Sequence, residues 1–246
     1  MDLPPAPPPL DRRTMAEEVL VVLILSLLAS AVYALLDLFA APLKGVTVFS
    51  VDQSNELLRQ LVGVFFGLGP VYLVLHLARR DEGGVASIGL APDRFGQQVA
   101  RGVVLFAIVG AVGIGVYLAA VALGVNRFVV PAPPLGHWWT VPLLLLNAAQ
   151  AALLEETIVL GYLITRLRLL GWAPTTAIVA SAVLRGSYHL YQGWGGFAGN
   201  LAMGLLFGWI FVRTRRAWPF VVAHFLLDVG AGLGYVFFRN HLPGFH

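Results

Sequence analysis

Long apolar stretches limit what this chain can fold into more than any other feature of its sequence. About seven of them, each of roughly 20 residues, are long enough to cross a bilayer as a helix. Helices are expected because backbone polar groups in lipid must be satisfied within the segment. The stretches lie near 18–39, 57–78, 99–124, 140–165, 174–192, 197–212 and 217–238. We therefore expect an all-α polytopic membrane protein, a bundle of about seven transmembrane helices.

The overall composition supports a membrane protein and excludes several kinds of site. Hydrophobic residues make up 58% of the chain and charged residues only 12%, whereas about 25% charged is usual in soluble domains. The absence of cysteine excludes disulfides, thiol catalysis and zinc–thiolate centres. The net charge of +3 is spread over the ends of the apolar stretches. We expect the lipid bilayer as a partner and no nucleic acid.

The distribution of arginines predicts the orientation in the membrane. With the N-terminus inside, most arginines fall in cytoplasmic segments, as the positive-inside rule requires. These arginines are Arg12, Arg13, Arg79, Arg80, Arg94, Arg101, Arg166, Arg168, Arg213, Arg215 and Arg216. The sequence thus predicts a multi-pass protein of the plasma membrane with a cytoplasmic N-terminus and an external C-terminus.

Three regions can be separated along the chain. Residues 1–16 are rich in proline and are expected to form a disordered cytoplasmic tail. Residues 17–139 hold the N-terminal transmembrane helices and an amphipathic connector at 87–102. Residues 140–246 form a helical core that contains the buried ionisable residues. Pairs of glycines spaced by four, such as Gly204 and Gly208, predict close packing between helices.

Ionisable residues inside the apolar stretches are few, and they occur late in the chain. Charged groups at membrane depth are costly and are therefore functional candidates. Residues four apart share one helix face, which pairs Arg185 with His189 and His224 with Asp228. We predict a polar cavity formed by the fourth, fifth and seventh spans. The residues concerned are Glu155, Glu156, Arg185, His189, His224 and Asp228.

Glu155 and Glu156 are expected to have different roles, because neighbouring side chains on a helix point about 100° apart. Glu155 shares a stripe with Asn147 and Tyr162, whereas the stripe of Glu156 is more apolar, so Glu155 is expected to face a wet cavity. A buried carboxylate can act as a general base, and imidazoles can bind a divalent metal or stabilise an oxyanion. These groups fit hydrolysis of a peptide bond.

Two other hypotheses use the same residues. In a catalytically inactive scaffold or immunity protein, the polar groups would only hold helices together, and Glu155→Gln would leave function intact. In a transporter or proton relay, they would carry ions, although no repeat strong enough for a two-halved transporter is found.

Three motifs resemble those of a known family. EETIVL at 155–160, RGSYH at 185–189 and HFLLD at 224–228 are similar to the EExxxR, FxxxH and HxxxN/D motifs of the CPBP family. That family comprises CAAX prenyl endopeptidases and bacteriocin-processing intramembrane proteases. The resemblance covers the second half of the chain and implies an all-helical bundle with a cavity open to the cytosol and the membrane.

The resemblance also implies roles for individual residues. Glu155 would activate water with support from Glu156, while His189, His224 and Asp228 would surround the water. A divalent metal, expected to be zinc, would be held by His189, His224 and Glu155. The implied substrate is a membrane-tethered protein or peptide.

The chain departs from the family motifs at two positions. Leu160 stands where the first motif has arginine, and Arg185 stands where the second has phenylalanine. A lone buried arginine is hard to tolerate. We therefore predict that Arg185 reaches across to pair with Glu156 or Glu155 and so replaces the missing charge.

Overall fold

The computed structural model describes residues 11–40, 46–47, 56–125, 128–129 and 135–238, and these are almost entirely helical. The α-helices are α1 Arg12–Ile24, α2 Leu27–Ala40, α3 Glu56–Gly67, α4 Gly69–Ala78, α5 Phe95–Ala122, α6 Thr140–Glu155, α7 Ile164–Leu169, α8 Pro174–Tyr188, α9 Trp194–Thr214 and α10 Trp218–Phe238. A π-helical segment, Glu156–Leu163, joins α6 to α7, and short 3₁₀ turns cover Gly84–Ile88 and Leu190–Gln192. The strands β1 Val46–Thr47 and β2 Phe128–Val129 pair in parallel, with Val46 opposite Phe128.

Five of the described helical segments are long and apolar enough to cross a membrane, which confirms a multi-pass helical protein. They are Glu56–Ala78, Phe95–Ala122, Thr140–Leu169, Trp194–Thr214 and Trp218–Phe237. They correspond to the second, third, fourth, sixth and seventh predicted stretches. The count of seven spans stays a prediction.

The first predicted stretch is broken in the middle, and the fifth is short. At Leu25–Ser26 the helix turns, because the backbone N–H of Ser26 bonds to Leu23 and its hydroxyl donates to the carbonyl oxygen of Val22 at 2.5 Å. Such a side-chain bond to the backbone competes with the helical ladder. The fifth stretch forms α8, of 15 residues, which is followed by a 3₁₀ turn.

The helix α1 begins inside the segment that the sequence assigned to the tail. The carboxylate of Asp11 accepts hydrogen bonds from the backbone N–H groups of Arg13 and Thr14, at 2.8 and 2.9 Å. This is the geometry of an N-cap, and it makes residues 12–16 helical. Residues 1–10 of the predicted tail lie outside the described residues.

The glycine pair in α9 permits a close approach to α8, as predicted. A Cβ at Gly204 would lie 2.9 Å from the Cα of Ala182, and one at Gly208 would lie 2.8 Å from a methyl group of Ile178. Only glycine leaves room for this contact. The packing fixes the side of α8 that carries Arg185.

The spacing also predicts close packing at Gly63/Gly67 and at Gly230/Gly234, and this prediction is wrong for one glycine of each pair. At Gly63 and Gly234 no atom lies within 4 Å of an added Cβ. Gly67 does pack tightly, against the side chain of Gln150. Spacing alone therefore does not distinguish a packed glycine from an open one.

One arginine that the sequence assigned to an inner segment is buried. Arg166 is 1% exposed and donates from Nη1 to Asp81, at 2.9 Å. Ser87 donates to the other carboxylate oxygen of Asp81, at 2.7 Å. These bonds tie the end of the long α6–π–α7 helix to the connector between α4 and α5.

Candidate active site

The helix changes from α to π geometry immediately after Glu155. All eight residues of the π segment are buried, and π-helical geometry within an α-helix is frequently found at functional sites. A Cβ at Gly161 would lie 2.6 Å from the carbonyl oxygen of Ile88, so only glycine lets the segment rest on the 84–88 turn. The widened turns begin where the two glutamates stand.

Glu156 is held by two partners from two other helices. It is 0% exposed, and its Oε1 accepts from Nη2 of Arg185 at 2.5 Å and from Nδ1 of His224 at 2.8 Å. Arg185 is itself 1% exposed, so the predicted pairing of Arg185 with a glutamate is confirmed. Glu156 Oε2 has no hydrogen-bond partner among the described residues. This carboxylate is a fixed, internal anion.

Glu155 is held more loosely than its neighbour. Its side chain is 12% exposed, and its Oε2 accepts from the hydroxyl of Tyr188 at 2.7 Å. Nη2 of Arg185 lies 3.5 Å from the same oxygen. No described residue donates a hydrogen bond to Oε1. One oxygen of Glu155 is therefore positioned, and the other makes no hydrogen bond with the described residues.

Each of the two histidines has its Nδ1 atom engaged. Nδ1 of His189 lies 2.9 Å from the carbonyl oxygen of Arg185, which can only accept, so His189 donates from Nδ1. Nδ1 of His224 lies 2.8 Å from Oε1 of Glu156 and 3.1 Å from Nη2 of Arg185. We assign the proton to Nδ1, because the shorter contact is with a carboxylate, which can only accept. Both rings thus have Nε2 free of these bonds, and Nε2 of His224 lies 3.5 Å from Oδ2 of Asp228.

The site residues predicted from the sequence come together in the fold. Glu155 interacts electrostatically with His224, His189 and Arg185, and Asp228 interacts with His224 and Glu155. Helices α6, α8 and α10 supply these groups, except that His189 lies in the turn directly after α8 and not within the predicted helix. The individual catalytic roles stay predictions.

The polar cavity predicted around the site glutamates and histidines is neither of the two cavities found in the described part of the chain. Two cavities in the described part of the chain, of about 410 and 380 Å³, lie between α3 and α6 and between α5, α9 and α10. Neither is lined by the site glutamates or histidines. The polar cavity formed by the fourth, fifth and seventh spans therefore stays a prediction.

The described side chains do not form a ready-made metal centre. Within them, no group of three or more His, Asp or Glu is arranged to hold a metal ion. The orientation of His189 and His224 is favourable, because metal-binding imidazoles usually donate their other N–H to a carbonyl or carboxylate. The guanidinium 3.5 Å from Glu155 is a competing cation. The zinc site at His189, His224 and Glu155 stays a prediction.

The role of Tyr188 was not predicted from the sequence, and the structure explains why leucine is tolerated at position 160. Tyr188 stands inside the RGSYH motif but was given no role, although it donates to Glu155. Its position three residues after Arg185 places it on the same helix face, which was the available signal. Leu160 is 2% exposed and belongs to the apolar core, so Arg185 supplies the buried cation from the next helix.

Comparison with known proteins gives one family match. Residues 137–230 match the family described as type II CAAX prenyl endopeptidase Rce1-like. The matched range contains Glu155, Glu156, Arg185, Tyr188 and the three site residues that follow them, and it confirms the resemblance to CPBP proteases. No curated protein and no solved structure matches the chain.

Proposed function

We propose that this chain is an intramembrane endopeptidase that hydrolyses a peptide bond with water activated by Glu155. The match to a protease family supports a peptidase in a multi-pass membrane protein. The assignment of the base is carried by one observation, the difference between the two adjacent carboxylates. Glu156 is fully buried and doubly bonded, whereas Glu155 is partly exposed and keeps one oxygen free.

In this proposal Glu155 acts first as base and then as acid. Its free oxygen takes a proton from a water molecule, and the water oxygen forms a bond to the carbonyl carbon of the scissile peptide. The resulting tetrahedral species collapses when the C–N bond breaks, and Glu155 returns the proton to the leaving amine. One water is consumed, and a carboxylic acid and an amine are released, with Glu155 again a carboxylate.

The remaining groups would hold the reacting atoms in place. His189 and His224 each have Nε2 available, and an imidazolium at either position would donate to the developing oxyanion. Asp228, next to His224, would orient that ring. Glu156 and Arg185 would not touch the substrate, and their buried pair would fix the helices that carry the other groups.

The zinc ion implied by the resemblance is a separate prediction, because His189 and His224 would then give the Nε2 lone pairs to the metal instead of donating from Nε2 to the oxyanion. Metal analysis of the purified wild type and of His189→Ala/His224→Ala tests it. About one zinc per chain, lost in the double variant, would support the predicted site. Equal metal content in the two proteins would contradict it.

We propose a membrane-tethered protein or peptide as substrate, and an enzyme in the plasma membrane with a cytoplasmic N-terminus. N-terminal peptide profiling of membranes from wild-type and deletion strains tests the activity without a guess at the substrate. Protein termini present only in the wild type would support proteolysis and identify the cleaved bond. Identical profiles, with the protein shown to be expressed, would favour the scaffold hypothesis.

A further inference from the structure

A second site lies away from the glutamates, at one end of the bundle. A groove of about 380 Å³ runs between α5, α9 and α10. Its wall is apolar and includes Val104, Leu105, Ile210 and Phe220. Two arginines, at positions 101 and 216, also line it. Nothing in the proposed peptidase mechanism uses this groove.

The polar and apolar parts of the groove are ordered along the helices. Arg101 stands in the second turn of α5, and Leu105 lies one turn further along, about 6 Å deeper at 1.5 Å per residue. Arg216 lies in the linker between α9 and α10, and Phe220 lies in the first turn of α10, four residues further along the chain. The cations are therefore at the end of the bundle, and the apolar wall extends inward from them.

The charges at the mouth of the groove are only partly used by the protein. Arg101 is exposed and makes no ion pair or hydrogen bond with the described residues. Arg216 pairs with Asp93, but a guanidinium has five N–H donors, so donors remain. The mouth thus offers several donors and a net positive charge.

The groove opens toward the surroundings of the bundle and not toward its interior. Val104 is 57% exposed, and it lies in a segment able to cross a membrane. A ligand here would contact hydrocarbon along most of its length and meet guanidinium groups at one end. A phospholipid has that shape, and basic pockets between transmembrane helices bind anionic head groups.

We propose that this groove binds one anionic phospholipid. An acyl chain lies along Val104, Leu105 and Ile210, and the phosphate accepts hydrogen bonds from Arg101 and Arg216. The site is independent of the proposed peptidase activity. It accounts for an apolar groove that ends in two arginines.

Native mass spectrometry of the purified full-length protein tests the site. The probe is an equimolar mixture of phosphatidylglycerol and phosphatidylcholine with identical acyl chains. The wild type is expected to retain phosphatidylglycerol preferentially. Each of Arg101→Gln and Arg216→Gln should lower that preference about fivefold, and the double variant should bind both lipids alike. Glycerol 3-phosphate should not compete, because it lacks the acyl chains.

Three further variants separate this site from general electrostatic attraction. Arg213→Gln is the matched control, since that guanidinium stacks on Trp209 outside the groove, and it should keep the wild-type preference. Asp93→Asn should increase the preference by releasing Arg216. Val104→Trp should fill the groove and displace both lipids. A double variant that keeps the wild-type preference, or an equal loss in Arg213→Gln, would overturn the proposal.

Discussion

Arg185 and Glu156 form a fully buried ion pair, with Nη2 and Oε1 2.5 Å apart and both side chains at most 1% exposed. The arginine comes from α8 and the glutamate from the π segment, so the pair joins two helices. His224 of α10 donates to the same oxygen. Three helices thus meet at one carboxylate oxygen, next to the glutamate proposed as the base.

Removal of Arg185 is expected to destabilise the protein strongly. Arg185→Ala leaves the Glu156 carboxylate buried with a single donor, and breaking a buried pair costs about 3–5 kcal/mol. Thermal unfolding of the purified protein measures the effect. Arg213→Ala, an exposed arginine on α9, is the control and should unfold like the wild type. An Arg185→Ala protein as stable as the wild type would refute a structural role for the pair.

Placing an arginine at position 160, where the family motif has one, should restore part of the stability that is lost when Arg185 is removed. Leu160 lies four residues after Glu156 in the π segment, so an arginine there would start from the same helix as the carboxylate. Leu160→Arg/Arg185→Phe is expected to unfold at a higher temperature than Arg185→Phe alone. A double variant no more stable than Arg185→Phe would show that the two positions are not interchangeable.

Loss of the Tyr188 hydroxyl should slow catalysis with little effect on folding. Its hydrogen bond to Oε2 of Glu155 holds the carboxylate in one orientation, and bonds to charged groups contribute about 1.5–3 kcal/mol. Tyr188→Phe is therefore expected to lower kcat at least about tenfold. Kinetics on the substrate identified by terminal profiling measure this. Tyr72→Phe, on an exposed residue, should have the wild-type kcat, and an equally active Tyr188→Phe enzyme would remove the proposed role.

The contact of the π segment with the 84–88 turn makes Gly161 intolerant of any side chain. A Cβ there would lie 2.6 Å from the carbonyl oxygen of Ile88, and such overpacking costs about 1–3 kcal/mol. Gly161→Ala should lower the unfolding temperature. Gly113→Ala is the matched control, because no atom lies within 4 Å of its added Cβ, and it should be neutral or stabilising. Equal behaviour of the two variants would argue against the close contact.

The ion pair between Arg216 and Asp93, at the mouth of the groove between α5, α9 and α10, is expected to stabilise the protein to an extent that falls at low pH. The hydrogen bond from Arg216 lowers the pKa of Asp93 below its usual 3.8. The contribution of the pair to stability is therefore present above about pH 4 and is lost as the pH falls through the lower folded-state value. NMR titration of labelled aspartates, with Asp93→Asn for assignment, measures the pKa. It should rise in Arg216→Gln, and a pKa unchanged by that variant would contradict the pairing.

Much of the helical architecture follows from the sequence, because hydrophobic length and buried charge are both visible in it. From the motif spacing we correctly predicted that α6, α8 and α10 meet. From the two motif departures we correctly predicted that Arg185 pairs with one of the two glutamates. The break at Ser26 was not predictable from periodicity, since one serine in an apolar run gives a weak signal. The π segment was also missed, because its sequence has no distinctive composition and depends on tertiary packing.

The site could be predicted only as a set of residues, not as a division of roles. Stripe polarity favoured Glu155 over Glu156, but the contrast in burial and bonding depends on side chains from two other helices. Tyr188 was missed because one more aromatic residue in an apolar segment is usually part of the core. Arg166 was assigned to a cytoplasmic segment, and its burial was not predicted because its carboxylate partner, Asp81, is distant in sequence and is brought near only by folding.

Glu155 is proposed as the general base, and a comparison of Glu155→Gln with the wild type tests this role most directly. Both proteins, with Glu82→Gln as a control on an exposed acid, are purified and assayed on the same substrate peptide, with thermal unfolding measured in parallel. Glu155→Gln is expected to lose at least about 100-fold in kcat. Its unfolding temperature should stay close to that of the wild type and of Glu82→Gln. A Glu155→Gln protein that is folded and cleaves at the wild-type rate would contradict this role.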